Sequence, residues 1–255
     1  MQLAIPHEVR SRDERRLSVG LATTRDDIAA AQRLRYRVFV EEMGARIATR
    51  RPGHDEDPFA AWCAHLVVRD EGSGSIVGTY RILTAERAKR LGTYYADSEF
   101  DLTRLARLKP AMAEIGRACI DARYRTGATI MLLWQGIAQL LRERGADYLI
   151  GCASVGMGDG GGNAMRVYRH LAARHLAPIE YRVFPRHPLA LRDDDDPADS
   201  AAPAVPPLLK GYLRLGAWIG GEPAWDPDFN TADLFVFLPL AQVEARYARR
   251  YLQAA

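Results

Sequence analysis

Cysteine is scarce in this sequence: Cys63, Cys119 and Cys152 lie far apart, each in an apolar context, and no CxxC pair occurs. That argues against a zinc site and leaves buried thiols as the expected state. Long apolar runs are missing too. No stretch reaches the roughly 18 residues that a membrane-spanning helix requires. The opening MQLAIPHEVRSRDERR is polar and charged, without the apolar segment of a signal peptide. The expected location is the cytoplasm, with peripheral contact at the inner membrane surface as the variant. Charge of one sign is not in excess, for 35 Lys and Arg face 32 Asp and Glu, so nucleic acid is not an expected partner. The nucleophile pattern G-x-S-x-G is absent, which argues against a covalent acyl-enzyme, and no Gly-Lys-Ser/Thr follows a glycine-rich turn. No internal repeat is found.

What is present reads as a globular chain with alternating strands and helices. Residues 1–16 read as a loose arm, and 17–255 as one domain interrupted by a low-complexity insert, DDDDPADS, around 193–204. Leu17–Ala22 predicts a first strand, and Ile28–Val40 a helix opened near Thr24 and Asp27. A long polar loop follows from Gly44 to Phe59. Cys63–Asp70 and Ser75–Thr84 predict a hairpin around EGSG. Ala113–Asp121 predicts a strand, Ile130–Arg144 a helix closed by Gly145, and Tyr148–Ala153 a second strand. That strand–turn–helix–strand unit carries the fold class: α/β (α+β), a central mixed sheet flanked by helices. Further on, Ala164–Leu176 and Pro207–Trp218 predict helices. Tyr181–Phe184 and Leu234–Leu238 predict strands, and Leu240–Leu252 a basic helix with Arg246, Arg249 and Arg250 on it.

Chemistry is concentrated in a few places. The turn RYRTGATI combines Arg123 and Arg125 with the small residues Thr126, Gly127, Ala128 and Thr129 at a helix start. Free N–H groups, the helix dipole and two guanidinium groups suit a phosphate such as that of a phosphopantetheine arm; a plain turn with solvated arginines is the other reading. In AEIGR, strict strand alternation separates Glu114 from Arg117, whereas a bulge would bring them to one side. Glu114 could then act as a general base, or the two could form a structural ion pair. HDEDPF offers Asp55, Glu56 and Asp57 to a cationic amino acid, or is merely a solvated loop. GAWIGGEPAWDPDF at 216–229 reads as a lid, a substrate wall or a structural loop.

RLRYRVFVEEMGA, the acidic loop before CAHLVV, VGTYRIL, EIGRACIDARYRTGATIMLLWQGI, YLIGCAS and LLKGYLRLGAWIGGEPAWDPDFNTADLFVF appear in that order. Together they resemble the bacterial ornithine N-acyltransferases of ornithine-lipid synthesis. That family looks like a GNAT relative and is similar to the acyl-homoserine-lactone synthases. The resemblance implies a 3-hydroxyacyl donor on acyl carrier protein, with no cofactor beyond the donor's phosphopantetheine arm, and no metal. It implies ornithine as acceptor and lyso-ornithine lipid as product. It places importance on Arg37, Phe39, Asp57, Arg81, Glu114, Arg117 and Ser154. The alternatives are a homoserine-lactone synthase, an N-acyltransferase for another amino acid, an acetyl-CoA enzyme, and a non-catalytic module that binds carrier protein or a membrane surface.

Overall fold

The computed structural model describes residues 9–10, 16–189 and 202–243. Strands β1 (Val9–Arg10) and β2 (Arg16–Leu21) lead into α1 (Arg25–Tyr36), which continues as a π-helical segment over Arg37–Glu42. Then come β3 (Ala64–Asp70), β4 (Ile76–Leu83), α2 (Ala85–Leu91), α3 (Ala96–Glu99), β5 (Phe100–Asp101) and β6 (Met112–Ile120). Helix α4 (Gly127–Glu143) joins β6 to β7 (Tyr148–Gly156). The rest is α5 (Gly162–His175), β8 (Phe184–Pro185), α6 (Pro207–Arg214), β9 (Trp218–Ile219), β10 (Ala224–Asp226) and β11 (Thr231–Pro239).

The main sheet runs β1-β2-β3-β4-β6-β7-β11-β10, with β9 also beside β11. Every pairing in it is antiparallel except β6 with β7. That parallel pair is the product of the α4 crossover, as the strand–helix–strand pattern requires. It is short: Met112–Glu114 match Tyr148–Ile150, and there the ladder ends. Gly151 marks the last close approach, since a Cβ there would come within 2.5 Å of the Ile115 carbonyl oxygen. Beyond it the two strands part, and β6 is held only by β4.

Helix α4 covers one face of the sheet, burying Leu132, Leu133, Ile137, Leu140 and Leu141 against residues such as Leu66, Val68 and Val77. On the other face α1 packs Ala31 and Leu34 against Val67, Ile76 and Cys119. Burying a Leu-sized side chain contributes about 1.5–3 kcal/mol, so these two layers hold the parted strands in place from both sides.

Some elements differ from the sequence pattern. Helix α4 begins at Gly127, with Thr126 as its cap accepting from the Thr129 amide, so the small-residue turn is its first turn. The first helix turns to π geometry after Tyr36. Tyr181 ends a 3-10 turn and only Phe184–Pro185 pair as a strand; Pro178, Pro185 and Pro188 deny that stretch the donors of a longer ladder. The helix from Pro207 stops at Arg214, because Gly216 takes φ +96° and turns the chain into β9. Leu240–Gln242 is a 3-10 turn. Residues 244–252 of the expected basic helix, most of the expected arm, and the insert up to residue 201 lie outside the described residues.

Candidate active site

The parted strands open one continuous cavity of about 1180 Å³. It reaches from Arg125, Thr126 and Gly127 at its mouth, past Glu114, Gly116 and Arg117, to Ser154, Asp226 and Asp233.

The decisive local event is on β6. Pairing with β4 shifts register between Thr79 and Arg81, so Gly116 faces Arg81 and Cys119 faces Thr79. Two residues, Arg117 and Ala118, therefore oppose Tyr80 alone. Arg117 takes the bulge with φ +51°, a conformation that costs an ordinary residue about 1–2 kcal/mol. The alternation is broken, and Arg117 reaches the same cavity and the same face as Glu114. The bulge that AEIGR left open is present.

Glu114 is 5% exposed. Its two carboxylate oxygens accept from the Tyr95 and Ala96 amides, each at 2.7 Å, at the start of α3. Burial raises its pKa to about 7, against the pull of those two bonds and of Arg81. A carboxyl group that titrates near neutrality inside a cleft is suited to take and release a proton.

Behind Arg117 lies a paired network. Arg35 Nε donates to Asp55 at 2.6 Å and Arg81 to Asp57 at 2.6 Å, while Arg117 approaches Asp57 at 3.3 Å and Asp55 at 3.6 Å. Burial alone would raise the Asp57 pKa, but Arg81, Arg117 and Arg35 outweigh it and hold the group below its usual value. Burial and the Arg35 charge press His65 down to about 4, so it is neutral; its Nε2 donates to the Ala60 carbonyl. The Arg117 guanidinium also stacks 4.3 Å from the Phe229 ring and 5.0 Å from Tyr95, and Phe229 meets Phe39 edge-on. Burial opposes the Arg117 cation, yet Tyr95, Asp55 and Asp57 more than offset this and its pKa rises.

At the far end, among the described residues, no ion pair holds the acids, and the cation acting on Asp233 and Glu99 is Arg117, from a distance. Asp233 (3% exposed) stands on β11 opposite Ser154 on β7, and Asp226 (5% exposed) on β10. Asp233 accepts from Thr231 Oγ1 at 3.1 Å, and Asp226 from Tyr95 Oη at 3.3 Å. Burial and the Asp226 charge push Asp233 up to about 6, with Ser154 and Thr231 pulling back. Glu99 is raised to about 7 by burial and by both aspartates. These acids are short of a cation.

At the mouth, Arg125 pairs with Glu42 and donates to the Ile120 carbonyl, while Arg123 grips Asp121 at 3.1 Å. Arg37 also binds Asp121, at 3.0 Å, so the structure sets it with Arg123 at this end of the site and shows it no pairing with Asp55 or Asp57. Thr126 and Gly127 face the cavity. Thr129 is fully buried and its hydroxyl donates to the Tyr124 carbonyl, so it holds the turn. Ala128 is the second residue of α4 and is not among the cavity-lining residues. Phe39, Arg81 and Ser154 line the cavity, while Asp55 and Asp57 stand behind it as partners of the arginines.

Sequence reading missed Glu99, Tyr95 and Asp233. Asp233 carried a signal, as the one acid inside the apolar run TADLFVFLP; Glu99 and Tyr95 sit in a stretch with no clear periodicity. Asp226 lies within the tryptophan- and proline-rich segment 216–229, which reads equally as a lid, a substrate wall or a structural loop.

Known proteins share this fold. Residues 34–135 match the acetyltransferase (GNAT) domain family. An N-acyl amino acid synthase from uncultured soil microbes, FeeM, superposes with a TM-score of 0.56 at 14% identity, covering 91% of this chain and 94% of that one. The acyl-homoserine-lactone synthase BjaI, bound to SAM and isopentyl-CoA, gives 0.54 at 14% identity, covering 92% and 89%. At those identities the likeness establishes the fold: GNAT-like. Sequence relatives go further. The L-ornithine N(alpha)-acyltransferase of Brucella abortus (strain 2308) is 37% identical over 92% of this chain and 88% of its own length. That of Rhizobium meliloti (strain 1021) is 38% identical over 92% and 84%. With a GNAT-like fold, an open cleft at its centre and relatives this near over nearly the whole length, the chain belongs to the L-ornithine N(alpha)-acyltransferase family.

Proposed function

We propose that the protein transfers a 3-hydroxyacyl group from acyl carrier protein to the α-amine of ornithine, releasing lyso-ornithine lipid. The observation that carries the acceptor is the cation-poor end of the cavity. Asp233 and Asp226, which line it, and Glu99 beside them offer negative charge that no described residue balances with an ion pair, and the δ-ammonium of ornithine supplies the missing cation. Arg117 and Arg81, which line the same cavity, take the amino acid's carboxylate. Asp55 and Asp57 serve by holding those arginines in place.

The donor's phosphopantetheine phosphate lies at the first turn of α4, on the Thr126–Gly127 side, with Arg125 exchanging Glu42 for phosphate. Arg37, Arg123 and Arg125 around the mouth favour an acidic partner such as acyl carrier protein over a small neutral thioester. The thioester enters the gap between β6 and β7. Glu114 takes a proton from the α-ammonium, directly or through a water; the freed amine attacks the thioester carbonyl, the C–N bond forms, the C–S bond breaks, and the thiolate leaves to be protonated. The β7-facing edge of β6 beyond Glu114 has no ladder partner, so its backbone groups are available to the developing oxyanion. Among the described residues no helix is long and apolar enough to cross a membrane, and the amphiphilic product reaches the bilayer by peripheral contact.

The test is direct. Purified protein is given ornithine with a 3-hydroxyacyl thioester on acyl carrier protein or on coenzyme A, and products are read by mass spectrometry. N-acylornithine formed faster from the carrier-protein donor is expected. Product from other amino acids at equal rates, or from acetyl-CoA alone, overturns the reading.

A further inference from the structure

We propose that the hydrogen-bonded tyrosine pair Tyr80 and Tyr212 reads a hydroxyl group on the acyl chain near its thioester, and so sets which acyl donors are preferred. The inference rests on the acyl-transfer reading above. Past the gap between β6 and β7 the cavity continues between the sheet and helices α4 and α6, where Ile130, Leu133, Trp134, Leu209 and Leu215 line it. An apolar wall of this kind accommodates a hydrocarbon chain and offers nothing to a polar substituent.

The tyrosines interrupt that wall. Their hydroxyl oxygens are 3.0 Å apart, both residues are buried, and both line the cavity. Burial raises the pKa of each phenol, so both are neutral O–H groups. Two hydroxyls bring two protons, and their mutual bond uses one. Among the described residues neither makes another hydrogen bond, which leaves one buried donor in want of an acceptor.

Position supports the assignment. Tyr80 stands on β4 opposite the β6 bulge and packs with Leu132 and Leu133 in the α4-side core. It is therefore beside the point where the parallel strands part and where the thioester carbonyl would lie. A 3-hydroxyl oxygen is three bonds from that carbonyl carbon. Trp134 meets the Tyr212 ring edge-on at 5.1 Å and fixes its direction.

The experiment uses the full-length protein, ornithine, and two acyl-carrier-protein donors of equal chain length, one 3-hydroxylated and one unsubstituted, in competition. The kcat/KM ratio is measured for wild type, Tyr212→Phe and Tyr80→Phe, with thermal melts to verify folding. Wild type is expected to prefer the hydroxylated donor, and either folded variant to lose roughly 3–10-fold of that preference, the scale of one neutral hydrogen bond. Both donors slowed equally, or a wild type that does not distinguish them, would overturn the tyrosine assignment while leaving N-acyl transfer intact. No N-acyl product from either donor would sink the acyl-transfer reading and this assignment with it.

Discussion

Two sets of buried charge border the same cavity and are built in opposite ways. Around Arg117, the guanidinium groups of Arg35 and Arg81 and the carboxylates of Asp55 and Asp57 close on one another at 2.6–3.6 Å. Around Asp233 and Asp226, the partners are the Thr231 and Tyr95 hydroxyls, the Asp228 and Phe229 amides and other acids, with no ion pair among the described residues. The difference separates architecture from binding. The carboxylates of the closed network have little to give a ligand, because Arg35, Arg81 and Arg117 already hold them, whereas the Nε groups of Arg81 and Arg117 have no hydrogen-bond partner among the described residues and are open to an anion. An open acidic end is costly when empty and regains that cost when a cation arrives. This is why the loop acids, attractive as an ammonium site from their spacing, are on our reading the frame, and the less conspicuous Asp233 and Asp226 the receptor.

The comparison can be broken from the closed side first. Arg35→Met should leave Asp55 with only the longer Arg117 contact and cost about 3–5 kcal/mol, as removing one partner of a buried pair does; urea denaturation measures it. A loss below about 1 kcal/mol would mean that the network adds nothing to the frame. Between the two ends stands Glu114. Glu114→Gln should lower kcat by about 10²-fold or more, and the wild-type kcat should rise with pH through about 7 as the carboxylate forms. An unaltered kcat would assign Glu114 to holding the α3 amides alone.

From the open side, Asp233→Asn should stabilise the protein. Its folded pKa of about 6 lies above the unfolded value near 3.8, so the folded protein binds the extra proton between them. Wild-type stability then falls as pH rises through that window, by up to about 3 kcal/mol. The variant should melt higher than wild type above pH 7 and match it below about pH 4, both relative to the unfolded carboxylate. A gap that does not change with pH would contradict the strain assigned to this end. The smallest effect belongs at the mouth: Arg125→Ala should raise the donor KM several-fold, with salt weakening the wild-type donor affinity in the same direction.

How much of this was legible in the sequence follows the range of the forces involved. The α4 crossover and the parallel pair were readable because Ile130–Arg144 and its flanking strands carry local periodicity and a glycine stop. The β6 bulge was readable only as an alternative, since it depends on how Arg117 and Ala118 share Tyr80 across the register. The pairing of Asp55 and Asp57 with Arg35, Arg81 and Arg117 joins residues 20 to 62 positions apart, and no local pattern announces it. Asp233 reaches the cavity only because β11 adds beside β7, and Glu99, at the end of α3, comes near it only through the fold. Those are tertiary facts, and spacing does not encode them.

The central claim is that the open acidic end selects an acceptor with a side-chain cation, and the comparison of ornithine with norvaline tests it most directly. Norvaline has the same carbon chain and lacks only the δ-amine. With one acyl-carrier-protein donor, the account predicts that kcat/KM for ornithine exceeds that for norvaline by roughly 10²-fold, the scale of a buried charge-assisted contact of about 1.5–3 kcal/mol. It also predicts that Asp233→Asn removes at least about tenfold of that preference. Equal use of the two acceptors by wild type, or a preference untouched by the substitution, would contradict it.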